Sequence, residues 1–416
     1  MQNTKIKDIG KTLLSFLKWI LISVIVGIIL GFVGGSFHHA TDYVTELRHK
    51  YTWLIYLLPV GGLIIVFLYN ICKMQKDRGT NDVLSAVNEN KKLSIFMAPL
   101  IFVSSTITHL LGGSAGREGA ALQLGGSIAS NLGEIFRLDE NDKRIITMCG
   151  MSGAFAAVFG TPVTAAVFSI EVATVGNMYF SAFLPCIISA ITGSRISILL
   201  GISPMKFTFT EIPAFDMMSI LKIALLGVLT AILSIIFCTV MHKSEKIYSK
   251  VLPNKYIRIT VAGAIIILLT LIVGSYDYNG TGMDIVKKAL AGEAKPEAFI
   301  LKILFTAVTL GAGYKGGEIV PVFFTGATFG NTMGRILNLS PSFGAGVGVI
   351  GLFCGVTNCP IASAILSIEL FGSQGLIYFA LTCALSYMLS GYHSLYHEQK
   401  ILYSKSKLEL INKKAQ

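Results

Sequence analysis

Charge is scarce in this 416-residue chain. Asp, Glu, Lys and Arg make up 14% of it, against about a quarter of a soluble domain. With 53% hydrophobic residues and a mean hydropathy of +0.68, most of the chain cannot face water. At about 20 residues per crossing, ten or more membrane segments fit. The seven cysteines (Cys72, Cys149, Cys186, Cys238, Cys354, Cys359 and Cys383) contain no CxxC pair, so neither a disulfide framework nor a zinc site is indicated. The seven histidines show no HExxH spacing, and no Walker A loop occurs. Direct use of ATP is thereby excluded, and no metal site is signalled. A cleavable leader is also missing: the run from Leu13 to Phe32 exceeds a signal h-region and no A-x-A site follows it. A retained helix is expected there.

Glycine is abundant, at 42 residues, as suits closely packed membrane helices. The net charge of +11 gathers at the ends, with Lys5, Lys7 and Lys11 before the first apolar run and Lys400, Lys405, Lys407, Lys413 and Lys414 in the tail. That distribution points away from nucleic acid and, by the positive-inside rule, places both termini in the cytoplasm. Apolar runs lie near 13–36, 52–72, 94–111, 145–174, 180–201, 218–240, 258–274, 298–312, 343–370 and 374–390. Polar linkers are expected at 73–93, 134–144, 242–257 and 276–297. The organisation expected is a segment 1–12, a first transmembrane repeat 13–241, a second 258–400, and a tail 401–416.

The repeat is visible in the residues. Gly150-Met-Ser-Gly-Ala-Phe155 matches Gly348-Val-Ile-Gly-Leu-Phe353, and Pro162 through Ser169-Ile-Glu171 matches Pro360 through Ser367-Ile-Glu369. Upstream, Gly113, Gly116, Glu118 and Gly126 align with Gly313, Gly316, Glu318 and Gly326. Gly160-Thr161-Pro162 and Asn358-Cys359-Pro360 interrupt apolar runs at corresponding places. Paired interruptions of this kind mark the binding site of a transporter built from repeats, and the amino ends of broken helices hold anions.

Two carboxylates sit in the glycine-rich motifs. Glu118 lies in Gly112-Gly-Ser-Ala-Gly-Arg-Glu-Gly-Ala120 between two apolar runs, where a charge at membrane depth is costly and functional by default. Ionised, it mimics an anion; protonated, it leaves and carries a proton. The ordinary alternative is a loop glutamate paired with Arg117. Glu318, in Gly311-Ala-Gly-Tyr-Lys-Gly-Gly-Glu-Ile-Val-Pro321, has Lys315 close by as an ordinary partner. Glu171 and Glu369 are read as structural, hydrogen-bonding a neighbouring loop from a helix end. His109 and Arg195 are read as buried polar groups satisfied by neighbours.

Taken together these motifs resemble the CLC family of chloride channels and anion/proton antiporters, over roughly residues 20 to 400. Gly116-Arg-Glu-Gly119 resembles the family's gating-glutamate motif. Gly317-Glu-Ile-Val-Pro321 occupies its G-x-F-x-P position, followed by Gly326-Ala-Thr-Phe-Gly330. Tyr396, in Ser394-Leu-Tyr396, matches its pore-lining tyrosine. The resemblance implies an all-α fold of tilted and broken helices in two inverted-topology repeats. It also implies a homodimer with one route per subunit and Glu118 as the external gate. The anion site it implies comprises Gly116, Arg117, Gly119, Gly79, Thr80, Asn81, Gly317, Ile319, Val320 and Tyr396. Here Asp77-Arg-Gly-Thr-Asn81 takes the place of the usual central serine segment.

Three departures shape the expected activity. The phenylalanine of G-x-F-x-P is Ile319, the residue after Glu171 is Val172 where an internal proton glutamate is usual, and Glu318 is extra. This combination resembles the bacterial fluoride/proton antiporter branch, although a threonine is expected there at Val320. The resemblance therefore implies fluoride export against protons through Glu118 and Glu318, in a bacterial-type inner membrane, without a cofactor. A chloride/proton antiporter or chloride channel of the same fold is the alternative. A membrane enzyme using Glu118 and Glu318 as an acid/base pair lacks a nucleophile, a metal cluster and a cofactor loop.

Overall fold

The computed structural model describes residues 2–416, with side chains from residue 12 onward and at Gly10; those of Lys5, Lys7 and Lys11 lie outside the described residues. Sixteen α-helices follow one another: α1 (Gln2–Lys50), α2 (Leu58–Ile71), α3 (Thr80–Glu89), α4 (Met97–Leu110), α5 (Glu118–Ile135), α6 (Glu140–Phe159), α7 (Pro162–Glu171), α8 (Phe183–Leu199), α9 (Met217–Val251), α10 (Lys255–Val273), α11 (Met283–Leu290), α12 (Ala298–Gly311), α13 (Ile319–Ile336), α14 (Pro341–Thr357), α15 (Pro360–Phe371) and α16 (Leu376–Leu389). Among the described residues, five spans are long and apolar enough to cross a membrane by length and composition. Side chains such as Leu199, Ile272 and Ile135 point outward from the helices, as a lipid-facing surface requires.

The packing repeats helix for helix. α1 packs on α8, α6 and α4, and α9 packs on α16, α14 and α12 in the same way. α5 lies along α6 as α13 lies along α14. Two cross-half pairs, α2 with α10 and α7 with α15, join the halves. Small residues set the close approaches. A Cβ on Gly125 would stand 2.2 Å from the Gly150 carbonyl oxygen, and one on Gly348 would stand 2.0 Å from that of Gly326. No side chain fits at either crossing, so the backbones touch directly. Five buried phenylalanines close a circuit where α6, α7, α13 and α14 meet: Phe155, Phe159, Phe323, Phe353 and Phe168, with successive ring centroids 5.4 to 5.7 Å apart.

The structure corrects the register of the upstream match. Gly116 and Gly317 pair with each other, N–H to carbonyl both ways, at 2.7 and 2.6 Å. Reciprocal antiparallel pairing of equivalent residues is what inverted halves produce at their shared axis. α5 begins at Glu118 and α13 at Ile319, and the left-handed glycines before them are Gly112 and Gly313. Glu118 is therefore the counterpart of Ile319, and Glu318 that of Arg117. The one-residue shift hid in the glycine doublets Gly125-Gly126 and Gly316-Gly317, where either neighbour gives a match.

Other expectations change as well. The polar stretches 73–93 and 276–297 hold the short helices α3 and α11, and 242–257 is largely the end of α9 and the start of α10. α3 reads as a linker because its sequence TNDVLSAVNE is polar, yet eight of its ten residues are buried. The tail is folded: β1 (Thr174–Val175), β2 (Lys400–Tyr403) and β3 (Leu410–Lys414) form a small sheet in the order β1-β2-β3. β2 runs parallel to β1 and antiparallel to β3. Arg195 is exposed on α8, whereas His109 is fully buried, with Nδ1 2.7 Å from the Ser105 carbonyl.

Candidate functional site

Helix starts divide into three kinds here. Those of α6, α9, α10 and α14 are capped by their own side chains: Asp139, Asp216, Asn254 and Ser340. Those of α7 and α15 are capped across the halves. The Glu369 carboxylate accepts from the Val163 and Thr164 amides at 3.0 and 2.7 Å, and that of Glu171 from Ile361 and Ala362 at 3.1 and 2.8 Å. The structural reading of these two glutamates is thus given a definite form. The third kind has no side-chain cap: besides α2, α4, α8, α11, α12 and α16, it includes the starts of α3, α5 and α13, at Gly79, Arg117 and Glu318. Uncapped N–H groups and the dipole of a helix start together favour an anion.

These three ends meet in the interior. Gly79 turns the chain into α3 with φ 62° and ψ −130°, a conformation open to glycine. The Thr80 hydroxyl reaches the Gly119 carbonyl at 3.5 Å and accepts from the Gln123 amide at 3.3 Å. Asn81 accepts the Glu398 amide at 3.0 Å through Oδ1, which turns its NH2 group toward the cavity that Asn81 also lines. Gly116 and Gly317 form the pairing that holds the starts of α5 and α13 side by side.

Glu118 is wholly buried. One of its oxygens accepts the Arg117 amide at 3.1 Å, at the start of its own helix, and the other has no hydrogen-bond partner. The carboxylate lies where an anion would lie. The ordinary pairing with Arg117 is weak: Nε stands 3.7 Å from Glu118, while the guanidinium is taken by Asp42 and reaches Thr41 at 3.4 Å. Asp42 in turn meets His38 at 3.0 Å. Lys315 does not pair with Glu318, contrary to the ordinary reading. Its ammonium binds Asp77 at 2.7 Å and lies over the Tyr69 ring. Glu318 keeps a buried oxygen without a partner, and that oxygen lies 3.1 Å from where a Cβ on Gly119 would stand.

Two cavities approach this centre. One, of about 790 Å³, is lined by Asp77, Gly79, Asn81, Gln123, Glu318 and Tyr396. The other, of about 480 Å³, is lined by Asp42, Arg48, His109, Arg117, Glu118 and Val320. The first reaches Glu318 and the second reaches Glu118. The first turn of α5, with Gly119 against Glu318, stands between them. Tyr396 is buried with its hydroxyl unpartnered, so it presents a donor to the larger cavity. Ile319 is fully buried and lines neither cavity, and Val320 brings only an apolar face to the smaller one. Gln123, Asp42 and Asp77 give no signal in the sequence, because their partners lie 43, 75 and 238 residues away. Among the described residues no cluster of His, Cys, Asp and Glu is arranged to hold a metal.

Known proteins share this fold. A chloride/fluoride channel protein of Pseudomonas syringae pv. tomato is 31% identical over 93% of this chain and 87% of its own length. The H(+)/Cl(-) exchange transporter ClcA of Vibrio campbellii is 24% identical over 88% of this chain and 85% of its own. Among solved structures, a CLC-type fluoride/proton antiporter superposes with a TM-score of 0.90 at 28% identity, covering 93% of this chain and 98% of that one. A slow cyanobacterial Cl-/H+ antiporter superposes at 0.78 with 19% identity, which bears on the fold alone. The sequence model of the voltage gated chloride channel family matches residues 60–391. With that match, the glutamate at the uncapped start of α5 and the paired inverted halves, the chain belongs to the voltage gated chloride channel (CLC) family.

Proposed function

We propose that this chain exports fluoride in exchange for protons. The observation that carries the proposal is the placement of Glu118 and Glu318: two buried carboxylates, each lining one of two opposed cavities, separated by one turn of glycine-bearing backbone. In the resting geometry Glu118 fills the anion position at the start of α5. A proton neutralises it, its hold on the helix end weakens, and an anion takes its place. Glu318 receives the proton on the other side, where Lys315 is engaged by Asp77 and not by Glu318. The 28% identical fluoride/proton antiporter and the 31% identical chloride/fluoride channel protein support fluoride. The physics agrees: fluoride is small and strongly solvated and needs compact donors, such as the Asn81 amide, the Tyr396 hydroxyl and the N–H groups around Gly79, Gly116, Gly119 and Gly317.

Chloride is the second reading, favoured by Val320, which offers no hydroxyl to the smaller cavity. The proposal includes a homodimer in a bacterial-type inner membrane. One route per subunit is expected, because both carboxylates and both cavities are complete within one chain. Both termini are placed in the cytoplasm by charge. The repeat boundary, expected from the sequence between 241 and 258, is proposed instead between α8 and α9, since α9 packs as α1 does.

The test is efflux from proteoliposomes followed with fluoride, chloride and pH electrodes. Fluoride efflux with matched proton uptake and little chloride movement is expected. Chloride movement as fast as that of fluoride would select the second reading.

A further inference from the structure

Two side chains in the larger cavity are not used by the exchange described above. His242 near the end of α9 and His397 directly after Tyr396 both line it. Their rings are stacked, with centroids 3.7 Å apart and planes 33° apart. The Nε2 of His242 lies 2.6 Å from the Ser394 carbonyl oxygen. A carbonyl can only accept, so Nε2 carries the hydrogen and Nδ1 of the neutral ring is left to take a proton. Both rings are half-buried, in contact with cavity water on one side and with the segment bearing Tyr396 on the other.

The charged surroundings favour one proton on the pair, not two. Two imidazolium rings stacked at this distance repel, so the second proton is held far more weakly than the first. Glu245, one turn along α9, lines the same cavity, and Lys246 is the cation that acts on both rings. Glu398 follows His397 but is engaged by Arg78 and Lys414. Lys315 across the cavity is engaged by Asp77, Arg258 donates to the Ala312 carbonyl, and Lys255 lies at the Gln75 carbonyl. Asp77 and Glu318 each keep a buried oxygen without a partner in this cavity, but Asp77 is paired with Lys315 through its other oxygen, which leaves Glu318 as the buried carboxylate without a cation bound to it. Histidine ordinarily titrates near neutral pH; burial lowers His397 below that range, so the pair passes a proton on between bulk water and a buried carboxyl group instead of storing it.

We propose that the stacked pair His242–His397 is a proton station on this side of the protein. It takes the proton released by the Glu318 carboxyl through cavity water, holds it at a ring nitrogen, and returns it to bulk water, leaving both rings neutral again. In the reverse direction the same steps load Glu318. The inference rests on the proton-exchange reading and adds the groups that serve its inner end.

The test uses the full chain in liposomes, with fluoride and proton fluxes recorded from about pH 4 to about pH 8, which spans the ordinary histidine range and the region below it. In the double variant His242→Gln/His397→Gln, proton flux is expected to fall on the order of tenfold at the alkaline end and to stay near wild type at the acidic end, where protons are plentiful. The single variant His397→Gln keeps the His242 contact to Ser394 and should show a smaller loss of the same shape, so the outcome does not depend on the double variant folding. A merely structural role would lower flux equally at every pH. Such a uniform fall, or a profile superimposable on wild type while wild type exchanges protons, would overturn the station alone. Fluoride movement in wild type with no proton movement would overturn the exchange reading and the station together.

Discussion

The two halves of the molecule share a scaffold and differ in charge at one turn. At the entry to α5 the chain reads Arg117-Glu118; at the equivalent entry to α13 it reads Glu318-Ile319. Shifting the carboxylate by one position turns it to the other side of the paired glycines, so Glu118 lines one cavity and Glu318 the other. Had both halves kept a glutamate at the first helical position, an inverted repeat would have given the two equivalent roles. The lesson is that duplication supplies the close glycine crossings and the uncapped helix ends, while function comes from breaking the symmetry at single residues. A second asymmetry follows α16, where the chain continues into Tyr396 and the β2–β3 hairpin.

The first way to test this comparison is at the positions where the halves are alike. Gly125→Val and Gly326→Val should both abolish monodisperse protein on size exclusion, because each adds a Cβ within 2.4 Å of a facing carbonyl oxygen. A well-behaved variant in either half would mean that the crossings tolerate separation. Next come the positions where the halves differ. Glu318→Ala should cut proton-coupled fluoride flux on the order of a hundredfold, whereas Ile319→Leu, at the counterpart of Glu118, should change it less than twofold, a small shift for a volume-conserving swap.

Smaller effects are expected from the reciprocal caps. Glu171→Ala removes two amide partners in a buried setting and should cost about 1–3 kcal/mol, read as a lowered melting temperature in detergent. Glu369→Ala, at a less buried carboxylate, should cost less. Equal losses would show that burial does not set the strength of these caps. The smallest effect concerns the hairpin. Burial by itself would raise the Glu398 carboxyl, but its contacts with Lys414 and Arg78 outweigh that and hold it below the usual carboxylate range. A carboxylate lowered on folding stabilises above its unfolded value of about 4.3, and that contribution is lost as pH falls through the lower folded value. Acidification below about pH 4.3 should therefore loosen β2 and β3 first, seen as a fall in amide protection factors there that Glu398→Gln does not show. A hairpin equally protected across that range would remove the ion pairs from its stability.

Much of this was legible in the residues, and the remainder fails for identifiable reasons. Gly116-Arg-Glu-Gly119 announced the uncapped start of α5, because glycine density around a lone carboxylate is a local signal. Ser-Ile-Glu at 171 and 369 announced structural carboxylates, but the exchange of caps between α7 and α15 is a long-range fact. Lys315 read as the partner of Glu318 through proximity in sequence, whereas Asp77 takes it from 238 residues away. α3 was hidden because a short helix that buries Thr80, Asp82, Ser85 and Asn88 among polar partners has a linker's composition. The stacked histidines come from α9 and from the segment after α16, and leave no spacing to find.

The most direct measurement is uphill fluoride movement driven by an imposed pH gradient in proteoliposomes, with wild type beside Glu118→Gln. Wild type should concentrate fluoride against its gradient, and the variant, which cannot alternate between charged and neutral forms, should fail to do so at any gradient. Uphill movement at wild-type rates in Glu118→Gln would contradict the central role given to that carboxylate.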